Sequence, residues 1–326
     1  MTLFYSTLEQ MEFLFFLIIV GFIIVKAGIL PDSTAKLLSK MESYIFIPAL
    51  VMGTFNENCT AQKLTSSLSF IYAGSITIVI SIIIAFTFGR FFSKDKYLRK
   101  IYTYGLAYSN YGFMGNAVVS ALFPDLFMDY LLFTLPFSLL VYALIIPALL
   151  MPKQEKESPD NKNILSVIFT KLKSVMNPML IGMFIGMILG LTELPRPAFF
   201  DTAVSTLGSC MSPIAMLLTG MTVAKIDLKK TFKTIPIYIL SFIRLIVIPL
   251  IAIGVIFAFS KLFSPISNEL SICILASLAM PLGLNTVVIP GSWGGDTTDA
   301  AGMALISHLL SCITIPFIFL VFDILL

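Results

Sequence analysis

Ten apolar stretches, each long enough to cross a lipid bilayer, follow one another along the 326 residues of this chain. A spanning helix needs about 20 apolar residues, because hydrocarbon offers its backbone no hydrogen-bond partners. Only 12% of the residues are charged, whereas soluble domains carry roughly 25%. The chain is therefore predicted to be an all-α membrane protein. The stretches, numbered segments 1 to 10, lie at about 11–30, 35–55, 66–91, 98–122, 126–150, 173–192, 200–224, 234–260, 268–290 and 299–324.

Lysines and arginines in the loops predict the orientation of the segments. The loops after segments 1, 3, 5 and 7 carry 17 of them, and the opposite side carries only Lys63, Arg196 and Lys261. Basic loops remain in the cytoplasm, so we expect a multi-pass protein of the cell membrane with both termini outside. Glu9 and Glu12 lie where a signal peptide would carry basic residues, and no cleaved signal peptide is expected.

A hydrophilic stretch divides the segments into two sets of five. Residues 152–172, which include K-Q-E-K-E-S-P-D-N-K-N, read as a cytoplasmic linker between residues 1–151 and 173–326. Five segments per half is an odd number, so the two halves must have opposite orientations. Offsets of 165 and 169 residues match Gly21 with Gly186, Pro48 with Pro213, Asn116 with Asn285, and Pro147 with Pro316. The pattern predicts ten transmembrane helices in two inverted five-helix repeats, which is typical of secondary transporters.

Segment 4 contains the sequence S-N-Y-G-F-M-G-N at residues 109–116. Gly112 and Gly115 weaken a helix, and Asn110 and Asn116 bring amides that hydrocarbon cannot satisfy. One interpretation is that the glycines only let neighbouring helices pack closely. The other is that the helix is broken here and lines a binding site, because polar backbone at membrane depth needs a protein or water environment.

Segment 9 contains a matching sequence, M-P-L-G-L-N, at residues 280–285. Pro281 removes a backbone donor and Gly283 loosens the turn, while Asn285 corresponds to Asn116 of the first half. Pro281 alone is also compatible with an ordinary kink. If segments 4 and 9 both break near the middle of the bilayer, the second half of each helix presents unpaired N–H groups and a positive dipole end to one cavity. Such a cavity favours an anion, typically a carboxylate.

Arg244 and His308 are further candidate site residues. Arg244 lies eleven residues past Lys233, hence roughly 16 Å into the membrane, where an arginine needs a partner or a cavity. It either helps to hold an anion or neutralises carbonyls at helix C-termini. His308, the single histidine, either relays a proton or is a neutral histidine with satisfied nitrogens. No acidic residue is expected in the middle of a segment, so the paired aspartates of a cation antiporter are not predicted.

Several other classes of function are not expected. The four cysteines show no spacing typical of a metal site or a disulfide framework, so no metal is predicted. No nucleophile–base pair or phosphate loop suggests an enzyme or a cofactor. The net charge is only +3 and the basic residues are scattered, so the expected partners are the lipid bilayer and a small solute, not nucleic acid.

The motifs of segments 4 and 9 resemble those of the auxin efflux carrier family, which includes plant auxin exporters and bacterial carriers annotated for malate or malonate. The likeness lies in S-N-Y-G-F-M-G, in A-M-P-L-G-L-N, and in the G-G-D at Gly294–Asp296 followed by S-H-L-L-S-C-I-T-I-P. It covers essentially the whole chain. The family usually has a proline soon after its G-F-x-G, where this chain has Ala117.

The resemblance implies a fold like that of bile-acid symporters. Segments 1, 2, 6 and 7 would form a scaffold that mediates a homodimer, and segments 3–5 and 8–10 a mobile transport domain. Segments 4 and 9 would cross at unwound centres that hold the substrate carboxylate, with Asn110 and Pro281 at family positions. We therefore expect an efflux-type secondary transporter with an elevator-like mechanism for a small organic anion, such as an auxin-like or dicarboxylic acid. The alternatives are a sodium-coupled symporter and a non-transporting membrane sensor.

Overall fold

The computed structural model describes residues 2–31, 33–150, 178–192, 194–225, 233–292 and 298–325. Within these ranges the regular structure is helical, and the only β-type pairing is an isolated bridge between Ser109 and Leu282. The predicted linker at 152–172 and the motif at 294–296 lie outside the described residues.

The described helices follow the predicted segments closely. In the first half they are Thr2–Lys26, Thr34–Met41, Glu42–Phe46, Ile47–Asn58, Ala61–Ser66, Leu68–Phe88, Gly89–Phe91, Lys96–Ala107, Tyr111–Gly115, Asn116–Leu122, Pro124–Leu126, Phe127–Leu140 and Val141–Leu150. In the second half they are Pro178–Thr192, Ala198–Ser209, Met211–Val223, Ile235–Phe242, Ile243–Val247, Ile248–Leu262, Asn268–Leu278, Asn285–Ser292 and Thr298–Leu325.

Six of the described helices are long and apolar enough to cross a membrane, and they coincide with segments 1, 3, 5, 7, 8 and 10. They are Phe4–Lys26, Ala61–Phe91, Pro124–Ile146, Ala198–Val223, Ile235–Leu262 and Asp299–Leu325. The other four segments do not contain such a helix within the described residues, for three different reasons. Segments 4 and 9 are each divided, segment 6 is described only over Pro178–Thr192, and segment 2 has polar residues at both ends.

Segment 1 was predicted at 11–30, but its helix begins at Thr2 and ends at Lys26. The helix stops because Gly28 adopts a positive φ of 69°, a conformation that favours glycine. The N–H groups of Gly28 and Ile29 donate to the carbonyls of Val25 and Ile24, which satisfies acceptors at the helix end. A glycine-based helix cap therefore fixes this boundary four residues before the predicted one, at residue 30.

Glycines bring segments 1, 2, 6 and 7 into close contact. A Cβ atom on Gly186 of segment 6 would collide with the backbone of Met52 in segment 2. A Cβ atom on Gly21 of segment 1 would collide in the same way with the backbone of Leu217 in segment 7. Small residues allow such close approach of helices in membranes, where packing replaces the hydrophobic effect as the driving force.

The remaining segments form contacts among themselves. Segment 3 packs on the first half of segment 4 and on segment 5, and segment 8 packs on segment 10. Gly74 of segment 3 lies directly against the backbone of Phe133 in segment 5. Segment 1 also packs on segment 10, so one face of the first group of helices meets the second group.

Candidate functional site

Segment 4 is interrupted at Tyr108–Asn110. Its first half-helix, 4a, is Lys96–Ala107, and its second, 4b, begins with a π-helical turn at Tyr111–Gly115 and continues to Leu122. Tyr108 is extended, with φ −121° and ψ 123°. The break therefore precedes Gly112 and Gly115, whereas the sequence placed it on these glycines. The π-helical turn ends one residue before Asn116 and Ala117, both of which are buried.

Segment 9 is interrupted between half-helix 9a, Asn268–Leu278, and half-helix 9b, Asn285–Ser292. The two interruptions bind each other directly. The N–H of Asn110 donates to the carbonyl of Pro281 at 2.7 Å, and Ser109 and Leu282 form an antiparallel bridge. Pro281 thus accepts a bond from the other broken segment, which an ordinary kink would not do. Both predicted interruptions are present, and they are in contact.

A cavity of about 310 Å³ lies at this crossing. Segments 2, 4, 5, 6 and 9 contribute to its wall, and none of the described lining residues carries a charge. The lining residues are Ser39, Ser43, Tyr44, Ile47, Ser109, Asn110, Tyr111, Gly112, Phe113, Ser138, Pro178, Met179, Gly283, Leu284 and Asn285.

Gly112 and Phe113 in the first turn of half-helix 4b, and Gly283 and Leu284 just before half-helix 9b, line one side of the cavity. Among the described residues, the N–H groups of these four residues donate to no backbone carbonyl. Helix dipoles add partial positive charge at the start of both half-helices. The wall is therefore electropositive without a cationic side chain, an arrangement that suits an anion.

Asn110 is held by His308. Its Nδ2 lies 3.0 Å from His308 Nε2, and His308 Nδ1 lies 2.7 Å from the carbonyl oxygen of Ala304. Because a carbonyl oxygen only accepts, Nδ1 carries the hydrogen and Nε2 accepts from the Asn110 amide. The geometry fits a neutral histidine with both nitrogens satisfied, the second of the two interpretations. His308 contacts a lining residue but does not line the cavity.

Asn285 and Asn116, which the repeat matches, have different surroundings. Asn285 lines the cavity, and its Nδ2 donates to the hydroxyl of Tyr104 at 3.0 Å. Asn116 lies buried in half-helix 4b behind the cavity wall, and its Oδ1 has no hydrogen-bond partner among the described residues. The structure therefore brings Asn110 and Asn285 to the cavity, but not Asn116.

The three predicted glycines differ in role. A Cβ on Gly112 would meet no atom within 4 Å, because this glycine borders open space. A Cβ on Gly115 would collide with the hydroxyl of Tyr130, and one on Gly283 would lie 3.1 Å from the Ser109 carbonyl oxygen. Close packing therefore explains Gly115 and Gly283, and only Gly112 faces unfilled cavity.

Arg244 is fully buried in the π-helical turn Ile243–Val247 of segment 8. Its Nη1 donates to the Leu106 carbonyl at 3.1 Å and its Nη2 to the Ser277 carbonyl at 3.4 Å. These carbonyls lie at the C-terminal ends of half-helices 4a and 9a, where the helix dipoles are negative. Arg244 does not line the cavity. The geometry supports the interpretation in which Arg244 neutralises helix carbonyls.

Two acidic residues, Glu42 and Asp129, are buried although the sequence did not predict it. Glu42 is fully buried in the middle of segment 2, and neither of its carboxylate oxygens has a partner among the described residues. Asp129 of segment 5 pairs with Lys63 at 2.8 Å and accepts from the Ser67 hydroxyl. The expectation that no acid lies mid-helix is wrong for Glu42. Its position inside an apolar segment was the available signal.

A second cavity, of about 660 Å³, lies away from the crossing, against segments 8, 9 and 10. Its lining includes Lys261 and Asp323, which carry opposite charges, together with Ser260 and Asn268. It contains none of the predicted site residues, and its mixed charge gives no preference for an anion.

Comparison with models of protein families gives one match that spans the chain. The family described as Membrane transport protein matches residues 6–319, which include both interrupted segments. A search of curated proteins finds none that matches this chain.

Proposed function

We propose that this chain, which belongs to the auxin efflux carrier family of membrane transport proteins, moves a small organic anion across the cell membrane as a secondary transporter. Membership makes it a multi-pass membrane transporter. The substrate class and the mechanism are the proposed part. They rest above all on the cavity at the crossing, which is lined by residues whose backbone N–H groups donate to no backbone carbonyl and, among the described residues, by no acidic side chain.

A carboxylate suits this cavity better than a cation does. Backbone N–H groups at helix starts and the amide nitrogen of Asn285 can donate hydrogen bonds, and carboxylate oxygens accept such bonds. A sodium site needs oxygen ligands, and carboxylates supply the charge that holds a cation. The described lining offers hydroxyl and amide oxygens but no carboxylate. The described lining therefore suits an anionic substrate better than a cationic one.

The glycine contacts support two inverted repeats. The offset of 165 that matches Gly21 with Gly186 also carries Met52 onto Leu217. The contact of Gly186 with Met52 is thus the counterpart of the contact of Gly21 with Leu217. These pairs join segments 1, 2, 6 and 7, the expected scaffold. We propose ten spans with both termini outside, a homodimer formed through the scaffold, and an elevator-like movement of segments 3–5 and 8–10.

Transport by the purified protein in liposomes tests the proposal. A thermal-shift screen over malonate, succinate, benzoate and indole-3-acetate identifies the carboxylate that stabilises the protein most, since a ligand of the folded state raises the melting temperature. The labelled form of that acid is expected to enter liposomes that contain the protein. Uptake that requires Na⁺ would favour the sodium symporter, and no uptake of any acid would contradict transport.

Substitution of Asn285 tests the location of the site. Asn285→Ala removes an amide from the cavity wall and is expected to weaken carboxylate binding about 5-fold or more, the effect of one lost hydrogen bond. Asn58→Ala is the control, because Asn58 is exposed at the end of segment 2. Equal affinity of the parent and both variants would remove Asn285 from the site.

A further inference from the structure

Tyr104 and Tyr108 lie four residues apart in segment 4. Of the two, only Tyr104 has a hydroxyl with a hydrogen-bond partner among the described residues. Both are at most 1% exposed, and their rings stack with centroids 5.2 Å apart. The hydroxyl of Tyr104 accepts a hydrogen bond from Nδ2 of Asn285 at 3.0 Å. The hydroxyl of Tyr108 is buried and has no partner among the described residues.

We propose that Tyr104 is a positioning residue that fixes the Asn285 amide for substrate binding, an inference that rests on the proposed anion-transport function. Asn285 is the first residue of half-helix 9b and lines the cavity. A free asparagine amide rotates about its last torsion angle and presents oxygen or nitrogen to a ligand. The bond to Tyr104 restricts this rotation, since turning the amide breaks the bond.

A restricted amide matters because an anion needs donors at defined positions. The Asn285 amide is held next in the chain to Gly283 and Leu284, whose backbone N–H groups donate to no backbone carbonyl among the described residues. Donors that are already oriented bind a ligand without the entropic cost of ordering them. The bond also joins half-helix 4a to half-helix 9b, so the donor is held by a different broken segment from the one that carries it.

The test compares Tyr104→Phe with Tyr108→Phe, which remove the same atom from neighbouring buried rings. Affinity for the carboxylate with the largest thermal shift is measured together with maximal uptake rate and melting temperature. Tyr104→Phe is expected to raise KM and Kd about three- to tenfold with maximal rate retained. Tyr108→Phe is expected to bind like the parent, because its hydroxyl makes no bond with the described residues.

A double substitution separates positioning from a structural role. In the Asn285→Ala background, Tyr104→Phe is expected to cause no further loss of affinity, since the amide that it orients is gone. Unchanged affinity in Tyr104→Phe, equal losses in the two phenylalanine variants, or a full additional loss in the double variant would each overturn the role of Tyr104. A parent protein that neither binds nor transports any carboxylate would overturn the proposed function, and this role with it.

Discussion

Gly112 and Gly115 belong to one π-helical turn, yet they have opposite surroundings. Gly112 borders the open cavity, whereas Gly115 lies against the hydroxyl of Tyr130. That hydroxyl donates to the carbonyl of Tyr111, so it helps to hold the start of half-helix 4b. One glycine therefore borders open space, and the other gives room to a neighbouring side chain.

Alanine at these two positions is expected to separate binding from stability. Gly112→Ala places a methyl group in empty space, so it should keep the melting temperature while weakening carboxylate binding several-fold. Gly115→Ala overlaps with Tyr130, and overpacking typically costs about 1–3 kcal/mol of stability. Thermal melting and ligand titration of both variants check this. A destabilised Gly112→Ala with a stable Gly115→Ala would contradict the assignment.

At the scale of residues, the sequence predicted which residues line the cavity better than it predicted their hydrogen-bond partners. Asn110 and Asn285 were identified because amides are costly in hydrocarbon, and both line the cavity. Their partners, His308 and Tyr104, come from distant positions in the chain, and no local pattern pairs them. Asn116 was predicted to line the site, but it is buried and is not among the residues that line the cavity.

At the scale of elements, the C-terminal ends of half-helices 4a and 9a and the N-terminal ends of half-helices 4b and 9b have different surroundings. Half-helices 4a and 9a end at Arg244, whose guanidinium binds a carbonyl from each. Half-helices 4b and 9b begin at the cavity. A protein charge thus neutralises the negative helix ends, whereas the positive ends lie at the cavity.

Arg244→Gln is expected to destabilise the crossing. A glutamine cannot reproduce two charge-assisted bonds to carbonyls of separate helices, and each such bond is worth about 1.5–3 kcal/mol. The variant should melt at a lower temperature and lose transport. Arg196→Gln is a suitable control, because its ion pair with Asp201 is partly exposed and contributes little. A normal melting temperature for Arg244→Gln would show that the crossing does not depend on this residue.

The existence of the two interruptions was predictable, because glycine, proline and asparagine in matching positions of apolar segments are unusual. Their location was less so. The break in segment 4 falls on Tyr108–Asn110, before the two glycines, and pairing with Leu282 and Pro281 stabilises the non-helical backbone there. Contacts between segments that are far apart in the chain determine where the break falls, and these contacts could not be predicted from the sequence.

At the scale of the whole molecule, the order of apolar segments along the chain predicts most of the observed helices. Six segments coincide with helices able to span a membrane, and the two divided ones are those in which breaks were predicted. Gly21 and Gly186, which the offset of 165 residues matches, each lie against the backbone of another segment, at Leu217 and Met52 respectively. Substrate identity and direction of transport depend on the energies of inward and outward states, which one arrangement of helices does not specify.

An experimental density map of the protein with its bound carboxylate tests the central claim most directly. We predict carboxylate density at the crossing, with oxygens about 3 Å from the N–H groups of Gly112, Phe113, Gly283 and Leu284. Density in the cavity beside Lys261, with the crossing empty, would contradict it.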